Sequence, residues 1–119
     1  MMEKYPGYDV KIGEIHHLQK LDAPSGTAVT LANDIIHSVN RKHNWVNQPS
    51  EFTDQLEISS LREGTVTGLH TVCWSSDIDS ITLKHEARNR QGFAQGALLA
   101  AEFVTGKKGI YGMKDLLGF

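Results

Sequence analysis

The sequence predicts an α+β domain, with an open mixed sheet of about four strands and two main helices packed on one face. Strand-like alternation of apolar and polar residues marks one early segment and three later ones, and two longer segments repeat apolar residues at helical spacing. A chain of 119 residues suits one ordinary domain and is short for two. Hydrophobic content of 39% and charged content of 22% are near globular averages, so we expect one folded core.

A short lead-in precedes the first predicted strand. Residues 1–7 end at a Pro-Gly pair, which interrupts a helix, and they look like the tail of a preceding segment. Residues 8–16 alternate as a strand does, and one face carries Tyr8, Val10, Ile12, Glu14 and His16. His16 and His17 therefore point to opposite sides, unless the strand has already ended.

A helix and a long loop are predicted next. Ser25 occupies the N-cap position, and from Thr27 the apolar residues follow one helix face, namely Ala28, Leu31, Ala32, Ile35, Ile36 and Val39. Residues 40–55 are polar and contain Pro49. We expect them to form a long exposed loop or an excursion with little core.

The second half is predicted to be mostly sheet, followed by a helix. Residues 56–62, 65–75 and 80–86 are rich in residues that favour strands. Both faces of the middle strand carry apolar residues, so the sheet face away from the helices is a candidate oligomer contact. Residues 91–105 follow helical spacing and stop at Gly106, before a short apolar tail.

Charge and cysteine content exclude several classes of function. The formal net charge is −2, so no overall field recruits nucleic acid or an anionic membrane. Cys73 is the only cysteine, which rules out an internal disulfide and suits a reducing compartment. No apolar run approaches the roughly 20 residues of a membrane span, and no signal-peptide pattern opens the chain. These features predict a cytoplasmic protein.

Residues 14–28 hold the strongest signal of chemistry. His16 and His17 supply two adjacent imidazoles, the side-chain type best suited to proton transfer, Lys20 adds a cation, and a Pro-Ser-Gly-Thr turn opens the predicted helix. Backbone amides and the helix dipole at such a turn can bind a carboxylate or phosphate. The pattern favours chemistry on an anionic small molecule, although a turn of this kind is more often only a helix cap.

Other readings of these residues are weaker. Six histidines invite a zinc site, but no pair has a recognised ligand spacing, so we predict no metal. Ser25 lacks the flanking glycines of a nucleophile elbow. The chain contains neither the Gly-x-Gly-x-x-Gly nor the Gly-x-x-x-x-Gly-Lys-Ser/Thr sequence, so it has no familiar nucleotide-binding loop.

Three stretches resemble the dihydrodipicolinate reductase family, also called 4-hydroxy-tetrahydrodipicolinate reductases. Residues 16–28 are similar to its His-His-x-x-Lys-x-Asp-Ala-Pro-Ser-Gly-Thr-Ala motif, and residues 62–71 to its Arg-x-Gly-x-x-x-Gly-x-His-Thr strand pair. The following strand and helix are matched at His85, Arg90, Phe93, Ala94, Gly96 and Ala97. The resemblance covers about residues 10–119 and includes long, specific motifs.

The resemblance implies the carboxy-terminal part of an NADPH- or NADH-dependent oxidoreductase of lysine and diaminopimelate biosynthesis. It implies catalytic roles for His16 and Lys20, and a dicarboxylate substrate held by His17, Ser25, Gly26 and Thr27. Residues 8–106 would bind substrate and form a homotetramer. Residues 107–119 would pack on an amino-terminal Rossmann domain that carries the cofactor and is absent from this sequence.

A second hypothesis from a different class stays open. The chain could be a dicarboxylate-binding or oligomerisation module without redox activity of its own. Both hypotheses predict dicarboxylate binding, so turnover with a nicotinamide cofactor separates them better than binding does. We expect the chain alone to have no turnover.

Overall fold

A mixed sheet with the strand order β2-β3-β1-β4-β5 organises most of the molecule. The structure, a computed structural model, describes residues 1–119, which divide into two units, Met1–Arg88 and Asn89–Phe119. The strands are β1 (Asp9–His16), β2 (Asn44–Val46), β3 (Gln55–Arg62), β4 (Gly68–Ser75) and β5 (Ser80–Ala87). The helices are α1 (Gly26–Ser38), α2 (Gln91–Val104) and α3 (Met113–Leu117). The predicted α+β class and open mixed sheet are confirmed.

Strand β1 lies at the centre of the sheet. It pairs in parallel with β3, to which the chain returns after α1, and antiparallel with β4. Strand β4 then pairs antiparallel with β5. The alternation predicted for β1 is confirmed, because Val10, Ile12, Glu14 and His16 are all buried. One face of the central strand thus begins apolar and ends with two ionisable residues.

The core lies between this face of the sheet and α1. Its buried members are Val10, Ile12, Ala28, Ala32, Leu56 and Ile58. The small side chains of Ala28 and Ala32 let α1 approach the strands closely, and both are fully buried. Packing of α1 on one face agrees with the prediction. That α2 packs on the same face stays a prediction.

The sheet has five strands where about four were expected, because β2 lies inside the segment predicted to be an exposed loop. Trp45 pairs with Leu56 of β3 and packs against the core, which explains how a polar segment gains a strand. The buried Lys42 also anchors the segment. Its ammonium donates to the carbonyls of Thr53 and Gln55 at 2.8 Å and lies 2.6 Å from the carboxylate of Asp9.

Strand β4 begins at Gly68, three positions later than predicted from residue 65. The intervening residues form a turn in which the amide of Val66 donates to the carbonyl of Glu63 at 3.2 Å. Gly64 has φ +46°, a conformation that glycine adopts without strain. The turn brings β4 back beside β1 with His70 opposite Glu14.

The second unit contains α2, α3 and the segment between them. Helix α2 ends one residue before the predicted position, and the chain reverses at Gly106, where φ is +75°. The ammonium of Lys107 lies 3.0 Å from the ring centroid of Phe103, whose edge-on neighbour is Tyr111 at 5.7 Å. These contacts fold the tail back onto the end of its own helix. No helix in the chain has the length and apolar character that spanning a membrane requires.

Candidate active site

The candidate site forms where β1 ends and α1 begins. Strand β1 stops at His16, so the open question about the histidine pair is resolved, and His17 starts the connection to the helix. This connection is held against the next strand pair, because the amide of Leu18 donates to the carbonyl of Gly64 at 3.2 Å and that of Glu63 to His16 at 2.8 Å. The motif predicted from sequence is therefore one ordered loop between a strand end and a helix start.

The buried carboxylate of Glu14 is the centre of the site. Its two oxygens accept the backbone amide of Ser25 at 3.0 and 3.1 Å, and Arg62 donates to it at 3.3 Å. The side chain of Glu14 has no exposed surface, while that of Arg62 is 17% exposed. Glu14 thus connects β1 to the α1 turn and to β3.

Two imidazoles approach the same carboxylate oxygen. His16 Nδ1 and His70 Nε2 each lie 3.6 Å from Glu14 Oε2, and the two rings meet edge to face with centroids 5.0 Å apart. His70 Nε2 is also 3.1 Å from the hydroxyl of Ser25. His16 Nδ1 is buried without a hydrogen-bond partner.

Arg62 binds the backbone of the connection between β1 and α1. Its guanidinium donates to the carbonyl of Lys20 at 3.2 Å and also to the carbonyl of Asp22. The ammonium of Lys20 in turn binds the Asp22 carboxylate at 2.8 Å. Lys20 is therefore held at both its backbone and its side chain.

The start of α1 presents free donors. The Ser25 hydroxyl accepts the amide of Ala28 at 3.3 Å, and the Ser25 carbonyl accepts the amide of Val29 at 3.0 Å, which confirms the predicted cap. Gly26 and Thr27 are exposed, and their amides belong to the first helical turn, which has no intrahelical acceptors. These two amides and the helix dipole can bind an anion.

Burial and neighbouring charges shift the ionisable groups of the site. Burial tends to raise the pKa of Glu14, but hydrogen bonds from Ser25, Ser60 and Arg62 outweigh it and hold the pKa below its usual 4.5. Burial lowers the pKa of both His16 and His70 below 6.5, against the opposing pull of the carboxylate. The site thus combines an ionised carboxylate with imidazoles that are neutral at pH 7.

The predicted site residues are placed differently by the structure. His16 and Ser25 lie against the Glu14 carboxylate, Lys20 is paired with Asp22, and Gly26 and Thr27 are exposed at the helix start. The Ser25 amide is bound to Glu14, and its hydroxyl caps α1 and faces His70 Nε2. His17 is half-buried, and its Nδ1 has no partner.

The cluster does not suit a metal ion or a nucleophilic serine. Ligand atoms of Glu14, His16 and His70 lie within 4.8 Å of one another, close enough for one cation. A cation there would compete with the Arg62 guanidinium for the only carboxylate, which disfavours a metal, and its absence stays a prediction. The hydroxyl of Ser25 meets His70 through the same nitrogen that faces the carboxylate, so these residues do not form a catalytic triad.

Sequence reasoning did not include Glu14, Arg62 or His70 among the site residues. Their proximity depends on strand order, since Arg62 is in register with His16 across β1 and β3, and His70 with Glu14 across β1 and β4. One signal was available in the sequence. Glu14 continues the apolar face of β1, and a carboxylate on a buried face requires partners.

Comparison with known proteins identifies the family. A family model described as "Dihydrodipicolinate reductase, C-terminus" matches residues 1–117. The chain belongs to this family. The resemblance seen in the sequence motifs is therefore confirmed over nearly the whole chain.

Two curated relatives and one solved structure agree with this assignment. The 4-hydroxy-tetrahydrodipicolinate reductase of Christiangramia forsetii is 48% identical over 117 residues, covering 98% of this chain and 48% of the relative. The reductase of Methanoregula boonei is 42% identical over 114 residues, covering 93% of this chain and 45% of the relative. This chain spans about half the length of these relatives.

The solved structure is a dihydrodipicolinate reductase from Paenisporosarcina sp. TG-14 with dipicolinate bound. It superposes with a TM-score of 0.68 and 31% identity, covering 96% of this chain and 46% of that one. The fold of the dihydrodipicolinate reductase carboxy-terminal region is thus shared.

Proposed function

We propose that this chain is the carboxy-terminal, substrate-binding and catalytic part of a 4-hydroxy-tetrahydrodipicolinate reductase. The whole enzyme would reduce a cyclic dicarboxylate to tetrahydrodipicolinate with NADPH or NADH, in lysine and diaminopimelate biosynthesis. The observation that carries the proposal is that the exposed Gly26 and Thr27 open α1 directly after Ser25, which binds Glu14, the carboxylate that His16 approaches. The bound dipicolinate of the related structure supports a dicarboxylate ligand.

In this proposal Gly26, Thr27 and the hydroxyl of Ser25 bind one substrate carboxylate, and His17 adds a contact. The amides suit this role because they are preorganised, lie at the positive end of the α1 dipole and have no acceptor within the helix. Lys20 supplies a positive charge near the ring. An anionic substrate is thereby held at the mouth of α1.

His16 is the proposed acid/base residue, with Lys20 as its catalytic partner. Reduction of a conjugated ring leaves an enamine that must gain a proton. Histidine can deliver it, because the ordinary pKa of an imidazole lies close to neutral pH. The low pKa of His16 produced by burial makes its protonated form a stronger acid than a free imidazole. Lys20 stabilises the negative charge that develops on the ring.

The family implies a nicotinamide cofactor, whose chemistry is hydride transfer. The β1–α1 connection, residues 17–25, contains no glycine, and Gly26 is the first residue of α1, so this segment does not form the glycine-rich loop that cradles a dinucleotide. We therefore propose that the cofactor is bound mainly by a Rossmann domain outside residues 1–119.

The remaining parts of the proposal concern organisation. Residues 1–7 form the end of a preceding segment, residues 8–106 bind substrate and assemble a homotetramer, and residues 107–119 pack on the cofactor domain. The sheet face opposite α1 is the proposed assembly surface, and Leu61 on that side of the molecule is 54% exposed. The single cysteine supports a cytoplasmic location.

The decisive experiment joins this chain to the amino-terminal half of the Christiangramia forsetii reductase. We expect the fusion to oxidise NADPH or NADH in the presence of the dihydrodipicolinate substrate, and the chain alone to bind pyridine-2,6-dicarboxylate without turnover. His16→Ala in the fusion should lower kcat by about 100-fold or more, since proton transfer contributes roughly that much. His43→Ala, at an exposed histidine, is the matched control.

The outcomes separate the two hypotheses. A folded fusion that binds the dicarboxylate but never oxidises cofactor supports the stand-alone binding module. An active fusion whose His16→Ala variant equals the His43→Ala variant in kcat contradicts the assignment of His16.

A further inference from the structure

We propose that Glu14 is a positioning residue for His16, and that His16 and His70 compete for one of its oxygens, Oε2. The inference rests on the proposed role of His16 as the acid/base residue. It adds two residues that this role requires, one on β1 and one on β4. The argument depends on how many donors the Glu14 carboxylate can accept.

The acceptor capacity of Glu14 is nearly used. Each carboxylate oxygen offers about two lone-pair sites. Oε1 accepts from the Ser25 amide at 3.0 Å and from Arg62 at 3.3 Å, while Oε2 accepts from the same amide at 3.1 Å. A hydrogen bond from Ser60 takes up more of the acceptor capacity of the carboxylate, and two imidazole nitrogens stand at 3.6 Å from Oε2, so at most one of them can be accommodated there.

The two rings are unequal competitors. His70 Nε2 has a second partner in the Ser25 hydroxyl at 3.1 Å, whereas His16 Nδ1 is buried and has none. A shift of about 0.7 Å would bring either nitrogen from 3.6 Å to an ordinary hydrogen-bond length. The edge-to-face contact of the rings links their movements, since one ring must yield as the other approaches.

The competition controls which nitrogen of His16 carries its proton. When His16 Nδ1–H donates to Oε2, the other nitrogen, Nε2, is left to exchange a proton with a ligand. A methyl group at Gly68 would lie 3.3 Å from Nε2, so the glycine leaves this nitrogen uncrowded. When His70 takes Oε2, His16 loses the acceptor that fixes its ring and tautomer.

The cationic groups around His16 and His70 all lower the pKa of these two rings. Lys20 from the connection and Arg62 from β3 disfavour protonation of His16, and Lys20 and His85 from β5 disfavour protonation of His70. Glu14 is the group that favours protonation of both rings. The distribution of this single carboxylate between two imidazoles is thus the variable that the protein can adjust.

The test is a histidine titration of this chain by NMR, with 15N shifts that report the tautomer of each ring. His70→Phe removes the competing nitrogen and keeps a planar ring. We expect the pKa of His16 to rise by about one unit and its Nδ1–H tautomer to increase, because a hydrogen bond to a carboxylate favours the protonated ring. His85→Phe, the same substitution at the position paired with residue 70 on β5, should leave His16 unchanged.

A double variant separates competition from simple charge repulsion. If His70 acts only by its own charge, the rise persists when Glu14→Gln is combined with His70→Phe; if the two rings share Oε2, the rise disappears. An unchanged His16 in His70→Phe, or a rise that persists in the double variant, overturns the proposal. Should the Glu14→Gln protein fail to fold, the tautomer change in His70→Phe against His85→Phe decides the matter alone.

This experiment requires no substrate, cofactor or turnover. A negative result therefore rejects the role of Glu14 and leaves the proposed activity to be judged by the fusion enzyme. Loss of activity in the fusion together with a positive titration would instead show a coupled histidine pair that serves binding alone.

Discussion

Replacement of Arg62 by methionine tests the framework that holds the site together. Methionine keeps an unbranched apolar stem like that of arginine but leaves the fully buried Glu14 carboxylate without its cationic partner. Removal of one partner from a buried ion pair typically costs about 3 to 5 kcal/mol. Because the guanidinium is 17% exposed and the Ser25 amide still binds the carboxylate, we expect the lower end, about 3 kcal/mol.

The measurement is urea unfolding, with the free energy taken from the midpoint and slope. Arg41→Met is the matched control, because Arg41 also donates to backbone carbonyls, those of Met2 and Tyr8, but its acidic partner Glu3 is 41% exposed. The control should lose only about 1 kcal/mol. Equal losses for the two variants would refute the view that the buried carboxylate carries the difference.

Two further predictions concern the imidazoles. Burial holds the pKa of His16 and His70 below 6.5 in the folded chain. As the pH drops below that value, the unfolded chain takes up protons before the folded chain does, so the free energy of unfolding should fall. A second loss should begin below 4.5, because the buried Glu14 carboxylate of β1 resists protonation in the folded chain. A urea midpoint that stays constant between about pH 7.5 and about pH 5.5 would contradict the first part. In Gly68→Ala the new methyl group lies 3.3 Å from His16 Nε2, so the His16 ring signals should shift by NMR, whereas Gly7→Ala, with open space at that position and no positive φ, should leave them in place.

Local sequence patterns predicted much of the fold. Alternation along β1 placed Glu14 and His16 on the buried face, and helical spacing with a serine cap located α1 to within one residue. Such signals succeed because each depends on a few neighbouring residues and a single buried face. The same reasoning fails for β2, whose three residues form a strand only because β3 offers a parallel edge and the core accepts Trp45.

Local sequence patterns could not predict which residues surround the Glu14 carboxylate, because those residues are distant in the chain. Arg62 and His70 lie 48 and 56 residues after Glu14 and meet it only when β3 and β4 take opposite sides of β1. A parallel pairing between β1 and β3 requires the intervening helix to cross over, and no pairwise signal in a single sequence specifies it. Sequence could show that Glu14 needs partners, but not which residues provide them.

A buried ion pair is a weak way to stabilise a fold, because apolar residues of similar size in the same place often do as well or better. Glu14 occupies the position on β1 where the apolar face set by Val10 and Ile12 could simply continue. Instead, its carboxylate fixes the Ser25 turn, pairs with Arg62 and lies against His16. Each of these contacts orients a part of the anion-binding loop or the proposed proton donor. We therefore infer that Glu14 is buried, despite the free-energy cost, because it orients the groups of the site. Variants of Glu14 should accordingly alter the histidine titration as well as the stability of the fold.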